Sequence, residues 1–190
     1  MRILDVGCGT GRPPWKTHAG EQDSVMGIDS NLSSLVVAKR RFPERHFVCC
    51  QAEALPFSDS SFGRVVSSVA MPYTDIPVAL AEIRHVLVPG GSLFMSVHHL
   101  RFTLGELRAA LPNPIATLYR LYVLANGLIF HASGRLVRFP NGKVESFQTT
   151  RALERALGGA GFVGVEVSQP DGKVHVDAKT AGCSSVPCAS

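Results

Sequence analysis

At 190 residues the chain is long enough to bury one hydrophobic core and short for two, and a composition 45% hydrophobic and 18% charged excludes a disordered or fibrous chain. Nineteen Lys and Arg against fifteen Asp and Glu give a net charge of +4, scattered except at Lys39, Arg40 and Arg41, too thin a patch to argue for a nucleic-acid partner. The five cysteines contain no CxxC pair, the opening residues lack an unbroken apolar core, and no apolar run reaches the roughly 18 residues of a membrane span. These features predict a cytoplasmic protein with a single domain over residues 1–180, a flexible tail at 181–190, no metal site and no membrane span.

The first element is an apolar run, Arg2 to Val6, that enters a turn with Gly7, Gly9 and Gly11 at every second position. Pro13 and Pro14 then suit the first turn of a helix, where proline costs least. A second run, Ser24 to Ile28, ends at Asp29, and Asn31 to Arg41 follows with Leu32, Leu35, Val36 and Lys39 at helical spacing. Strands are predicted next at His46 to Cys50 and Arg64 to Ala70. A helix then spans Ile76 to Leu87, ended by Pro89, Gly90 and Gly91, before a strand at Ser92 to Val97. After a helix from Thr150 to Gly158, the runs Gly161 to Val167 and Lys173 to Ala178 close the series. Strands alternating with helices predict βαβ units and a parallel sheet covered on both faces.

The segment from Leu104 to Glu145 breaks this rhythm. Its run IATLYRLYVLANGLIF places Leu118, Leu121, Tyr122, Ala125 and Ile129 on one helical face, but the opposite face is also mostly apolar. Such a helix wants cover on both sides. Packing on its own core, packing on a second subunit as a homodimer, and closing as a lid over a substrate pocket all stay open.

A strand that turns through glycines into a helix lets backbone groups approach a ligand closely. A dinucleotide turn would read GxGxxG, whereas this one reads GxGxG with Asp5 two residues ahead. Asp29, at the end of the second strand, stands about where α/β nucleotide folds place the carboxylate that accepts from two ribose hydroxyls. The two features together point to a ribose-containing ligand.

The ordered stretches LDVGCGTG, GIDSN, QAEALPFSDSSF and EIRHVLVPGGSLFMS resemble the class I S-adenosylmethionine-dependent methyltransferases of the small-molecule type. The resemblance runs motif by motif over residues 2 to about 99 and continues in GFVGVEV and the strand Val174 to Ala178. It implies a doubly wound, Rossmann-like α/β fold: seven mostly parallel strands, the last antiparallel, with a helical insertion after strand five. It also implies S-adenosylmethionine across the carboxyl ends of the first strands. Asp5 and the turn at Gly7, Cys8, Gly9 and Gly11 would then meet the methionine part, Asp29 the ribose, Ser30 and Leu32 the adenine edge, and Gln51 and Ala52 the adenine itself. Gln51 stands where the family commonly has Asp, and Gly63 where it usually has an acid.

Methyl transfer from a sulfonium is an in-line displacement that needs alignment and exclusion of water, plus a base if the acceptor carries a proton. The candidates at the ends of strands four and five are Tyr73, His98 and His99, although histidines there also serve packing. Glu53 reads as a loop brace and His131 as the close of the long helix. The expected function is methyl transfer to a small metabolite, with an apolar acceptor suggested by the apolar insertion. The alternative is a cofactor-binding module, or an N-terminally shortened methyltransferase without turnover, because the family often places cofactor-covering helices ahead of the first strand. An RNA or protein methyltransferase is disfavoured by the lack of a basic stripe, and a nicotinamide oxidoreductase by the glycine spacing.

Overall fold

A strand buried on both faces must send apolar side chains both ways, and Arg2–Val6 (β1) does so. The structure is a computed structural model that describes residues 1–11, 20, 22–98, 100–169 and 173–182. In it Leu4 and Val6 join one core while Ile3 joins another on the opposite face. The remaining strands are Ser24–Asp29 (β2), His46–Cys49 (β3), Phe62–Ser68 (β4), Leu87–His98 (β5), Phe162–Ser168 (β6) and Lys173–Thr180 (β7). They form one sheet in the order β3-β2-β1-β4-β5-β7-β6. Pairing is parallel from β3 to β5, and β7 runs antiparallel to both β5 and β6. This is the expected doubly wound topology. The order reverses at β1 and β4, and a ligand crevice forms at that switch point.

The larger core lies where Val65, Leu93, Met95 and Val97 meet Leu80 and Ile83 of Ile76–Val86 (α2) and Leu153 and Leu157 of Thr150–Gly159 (α5). Each such aliphatic side chain contributes roughly 1.5 to 3 kcal/mol by leaving water. Helix Leu32–Arg41 (α1) begins where Asn31 caps it, its side chain accepting from the Ser34 N–H at 3.2 Å, and ends on Lys39, Arg40 and Arg41, the charge its C-terminal dipole favours. Thr149 caps α5 in the same way through the Ala152 N–H.

Three expectations need correction. Strand five starts at Leu87, directly after α2, because Leu87 pairs with Phe62 across a bulge; Gly90 supplies the left-handed turn inside the strand. The insertion begins earlier than Leu104, as two helices, Leu100–Ala110 (α3) and Pro114–Ser133 (α4), which pack on each other. On α4 the buried positions are Val123, Asn126, Gly127 and Phe130, one step round from the face drawn through Leu118, Leu121 and Ile129, and those three are exposed. Gly127 decides this, since its bare Cα admits the ring of Phe147. The same helix bears on the expectation about membrane spans without reversing it. An 18-residue window of its 20 residues has a mean hydropathy of 1.2, enough to cross a membrane by length and composition alone, a test that core helices of soluble proteins also pass. Counting consecutive apolar residues stops at Arg120, Asn126 and His131, and averaging does not. Of the expected tail, residues 183–190 lie outside the described residues, as do Pro13 and Pro14.

Candidate functional site

The carboxyl ends of β1, β2 and β4 open into a cavity of about 700 Å³. At one end it is lined by Gly7, Ile28, Asp29, Ser30, Gln51 and Ala52, and at the other by Tyr73, Tyr119, Val144 and Glu145.

The glycine end is built from backbone. Gly7 sits at φ +75°, and a Cβ there would lie 2.2 Å from the Cβ of Ala70, so the turn can touch the end of β4 only as glycine. The N–H groups of Gly7 and Cys8 both reach the Ile28 carbonyl at 2.9 Å, which fastens the turn to the neighbouring strand. The Asp29 carboxylate accepts from the Gly9 N–H on one oxygen and the Asn31 N–H on the other, each at 2.8 Å. Asp29 is thus held rigidly with lone pairs still open to the cavity, as binding two vicinal hydroxyls requires. Because the N–H groups of the turn are engaged within the protein, what the turn can offer an ammonium is carbonyl oxygen.

Asp5 is placed differently from the other candidates. The alternation of β1 turns it away from the cavity into a small void shared with Cys8, Gly11, Phe42 and Arg45. It is 1% exposed, and among the described residues neither carboxylate oxygen has a hydrogen-bond partner. Burial, then the charge of Asp29, push its pKa up to about 7, with Arg45 pulling the other way. Burial also raises the Cys8 thiol, helped by Asp5 and Asp29. Leu32 is 64% exposed and is absent from the cavity wall, whereas Ser30, Gln51 and Ala52 line it. Glu53 lines it as well, and its carboxylate accepts from the Asp75 N–H at 2.8 Å, bracing the start of α2.

The opposite end is built from side chains. A strap without regular structure, residues 135–148, returns from α4 across the cavity and is tied down along its length. Asn126, buried in α4, accepts from the Val137 N–H at 2.7 Å and donates to the Glu145 carbonyl at 2.9 Å. Tyr122 donates to the Val137 carbonyl at 2.7 Å, and the Ser146 N–H reaches the Pro72 carbonyl at 3.0 Å. Glu145 then receives two charge-assisted bonds, from the Tyr119 hydroxyl at 2.8 Å and from Arg120 at 2.6 Å. Arg120 spans onward to Glu106 at 3.0 Å. Tyr119, Arg120, Glu106 and Glu145 escaped the motif reading. One signal was present: Glu106 and Glu145 are the only acids between residues 100 and 149, and both meet Arg120.

Of the candidate bases, Tyr73 lines the cavity, and its hydroxyl is pushed above the usual phenol range by burial and then by Glu145 and Glu106. His98 does not line it. Its ring stacks on Phe102 with centroids 3.9 Å apart, and burial with nearby Lys173 holds it below the usual imidazole range. His99 lies outside the described residues. His131 bonds Thr149, the cap of α5, at 2.7 Å, so it fastens the long helix to the next one.

Residues 3–91 match the family model described as a methyltransferase domain. The chain is 35% identical to the demethylmenaquinone methyltransferase of Renibacterium salmoninarum, over 65% of this chain and 48% of that one. It is 30% identical to a ubiquinone/menaquinone biosynthesis C-methyltransferase of Xylella fastidiosa, over 85% and 65%. It is 36% identical to the malonyl-[acyl-carrier protein] O-methyltransferase of Erwinia pyrifoliae, over 50% and 37%. The chain thus spans less than two thirds of each of these relatives. Among solved structures, the fold superposes on a SAM-dependent methyltransferase from Methanosarcina mazei at a TM-score of 0.62 and 23% identity, covering 95% of this chain and 92% of that one. A carbon methyltransferase, CurJ, superposes at 0.69 with 15% identity, covering 96% and 49%.

Proposed function

We propose that the chain, whose residues 3–91 match a methyltransferase domain, is a class I S-adenosylmethionine-dependent methyltransferase that transfers a methyl group to a small metabolite. The observation that carries this is the glycine turn locked to Asp29 at one end of a cavity large enough for a nucleoside and an acceptor together. When bound, S-adenosylmethionine supplies an electrophilic methyl group on a sulfonium, open to in-line displacement. Asp29 would take the ribose hydroxyls, with Ser30, Gln51 and Ala52 around the adenine and the carbonyls of the Gly7–Gly9 turn toward the ammonium. Asp5 would support the turn from behind. Val69, Ala70, Tyr73 and Val144 give the cavity an apolar wall suited to an apolar acceptor and to excluding water.

The three described cysteines are free, which supports a cytoplasmic setting. A single domain over 1–180 belongs to the same reading, as does self-association through the insertion. Ile115, Leu118 and Leu128 on α4 are each more than 60% exposed and support the latter.

Calorimetry with S-adenosylhomocysteine tests the proposal. A folded sample binds it, and Asp29→Ala weakens binding by about tenfold or more, the loss of hydrogen bonds to two hydroxyls. No binding by a folded wild-type sample would sink the reading. Binding without methyl transfer to a broad acceptor panel would favour a binding module instead.

A further inference from the structure

We infer that the strap end of the cavity is built for an acceptor that presents a phenolic hydroxyl, whose proton passes to Tyr119 and Glu145. The inference rests on the methyl-transfer reading and adds to it the acceptor's chemical class and the groups that take its proton.

Tyr119 and Glu145 line the same cavity, and the Tyr119 hydroxyl donates its proton to the Glu145 carboxylate at 2.8 Å. A phenol that has given its hydrogen in this way still offers lone pairs, so the group it can bind from the cavity is a hydrogen-bond donor. Burial, with the bond to Glu145, holds Tyr119 well above the usual phenol range, so it stays protonated and in that role. Arg120 is held between Glu145 and Glu106, at 2.6 and 3.0 Å, which fixes the Glu145 side chain in place and withdraws the guanidinium from binding an anion itself. The same cavity is also lined by Val69, Ala70, Val144 and the ring of Tyr73, surfaces that suit a flat apolar ring. An aliphatic hydroxyl would satisfy the hydrogen bond but leave those walls unfilled.

The step balances without a further reactant. The acceptor hydroxyl gives its proton to the Tyr119 oxygen as Tyr119 gives its own to Glu145. The acceptor oxygen's electron pair forms the new bond to the methyl carbon, and the pair of the carbon–sulfur bond stays on sulfur. The products are a methyl ether, a neutral thioether and a protonated Glu145, which returns its proton to water.

The test is a binding experiment on the whole chain saturated with S-adenosylhomocysteine, using 2-naphthol and its methyl ether, 2-methoxynaphthalene, as probes. They share a ring and differ in the donor. Wild type binds 2-naphthol about tenfold more tightly than the ether, the worth of one hydrogen bond to a charge-coupled group. Tyr119→Phe keeps the ring and brings the two probes to equal affinity, and Glu145→Gln moves them in the same direction. Equal affinities in wild type, or a preference that survives Tyr119→Phe, would overturn the inference. So would tighter binding of naphthalene-2-carboxylate than of 2-naphthol, which would assign the rim residues Arg138 and Lys143 to an anionic acceptor. S-adenosylhomocysteine is titrated first. A sample that fails to bind it removes the methyl-transfer reading itself, whereas one that binds it without telling the naphthalene probes apart removes only the acceptor assignment.

Discussion

At the glycine end of the cavity the turn presents backbone atoms and one carboxylate fixed by backbone N–H groups, with Ser30 and Gln51 alongside. At the strap end the groups facing a ligand are side chains drawn from α4 and from the segment that follows it. The glycine end takes its local conformation from short-range features, a strand, a left-handed turn and a helix cap, and is then fastened to Ile28, Asp29 and Ala70 further along the chain. The strap end depends on contacts between residues far apart in the chain, such as Tyr119 with Glu145 and Pro72 with Ser146. A turn made of backbone can serve one constant ligand, and a wall made of side chains can be rebuilt for different acceptors.

The comparison breaks most severely at Gly7. Gly7→Val places a branched side chain at φ +75° with its Cβ against Ala70. The expected cost is about 3 to 5 kcal/mol in urea unfolding, with loss of S-adenosylhomocysteine binding in whatever folds. A variant that unfolds and binds as wild type does would show that the turn is not fixed by this contact.

Asn126→Ala attacks the other end. It leaves the Val137 N–H and the Glu145 carbonyl without their buried partner, so unfolding should become easier by about 2 to 3 kcal/mol. S-adenosylhomocysteine affinity should hold within about twofold while amide exchange rises over residues 135–148, since a strap losing its ties opens locally. An equal loss at both ends would mean that the cavity forms as one unit.

The smallest effect sharpens the division within the glycine end. Asp5 has a higher pKa folded than unfolded, so the folded state binds the extra proton. Its neutral form favours folding below about pH 4, and that contribution is lost as pH rises through about 7. Wild-type stability relative to Asp5→Asn should therefore fall by about 1 to 2 kcal/mol from acidic to mildly alkaline pH. A flat difference across that range would mean that the carboxyl is solvated or paired, as a group facing the ligand would be.

The sheet was legible because each strand wears its environment openly. Ile3 and Leu4, Val65 and Val66 are apolar on consecutive positions, as only strands covered on both faces can be. The insertion was legible as a long apolar helix, but not in its orientation. Several faces of α4 are apolar, so hydrophobicity could not rank them, and a small residue, Gly127, with a polar one, Asn126, settled which face is buried. Asp5 was legible as part of the glycine motif, yet the motif alone does not tell whether the carboxylate faces the ligand or the back of the turn.

By itself, then, the sequence determined the strand order's raw material, the GxGxG turn and the position of Asp29, because glycine conformation, capping and two-residue alternation are local properties of the chain. Only the tertiary structure decided that Asp5 turns away, that His98 stacks on Phe102 beside a separate small void, and that Tyr119, Arg120 and Glu145 meet across the cavity. Those outcomes depend on which segments are brought side by side, and the energies that bring them there are summed over the whole core rather than written in any one stretch.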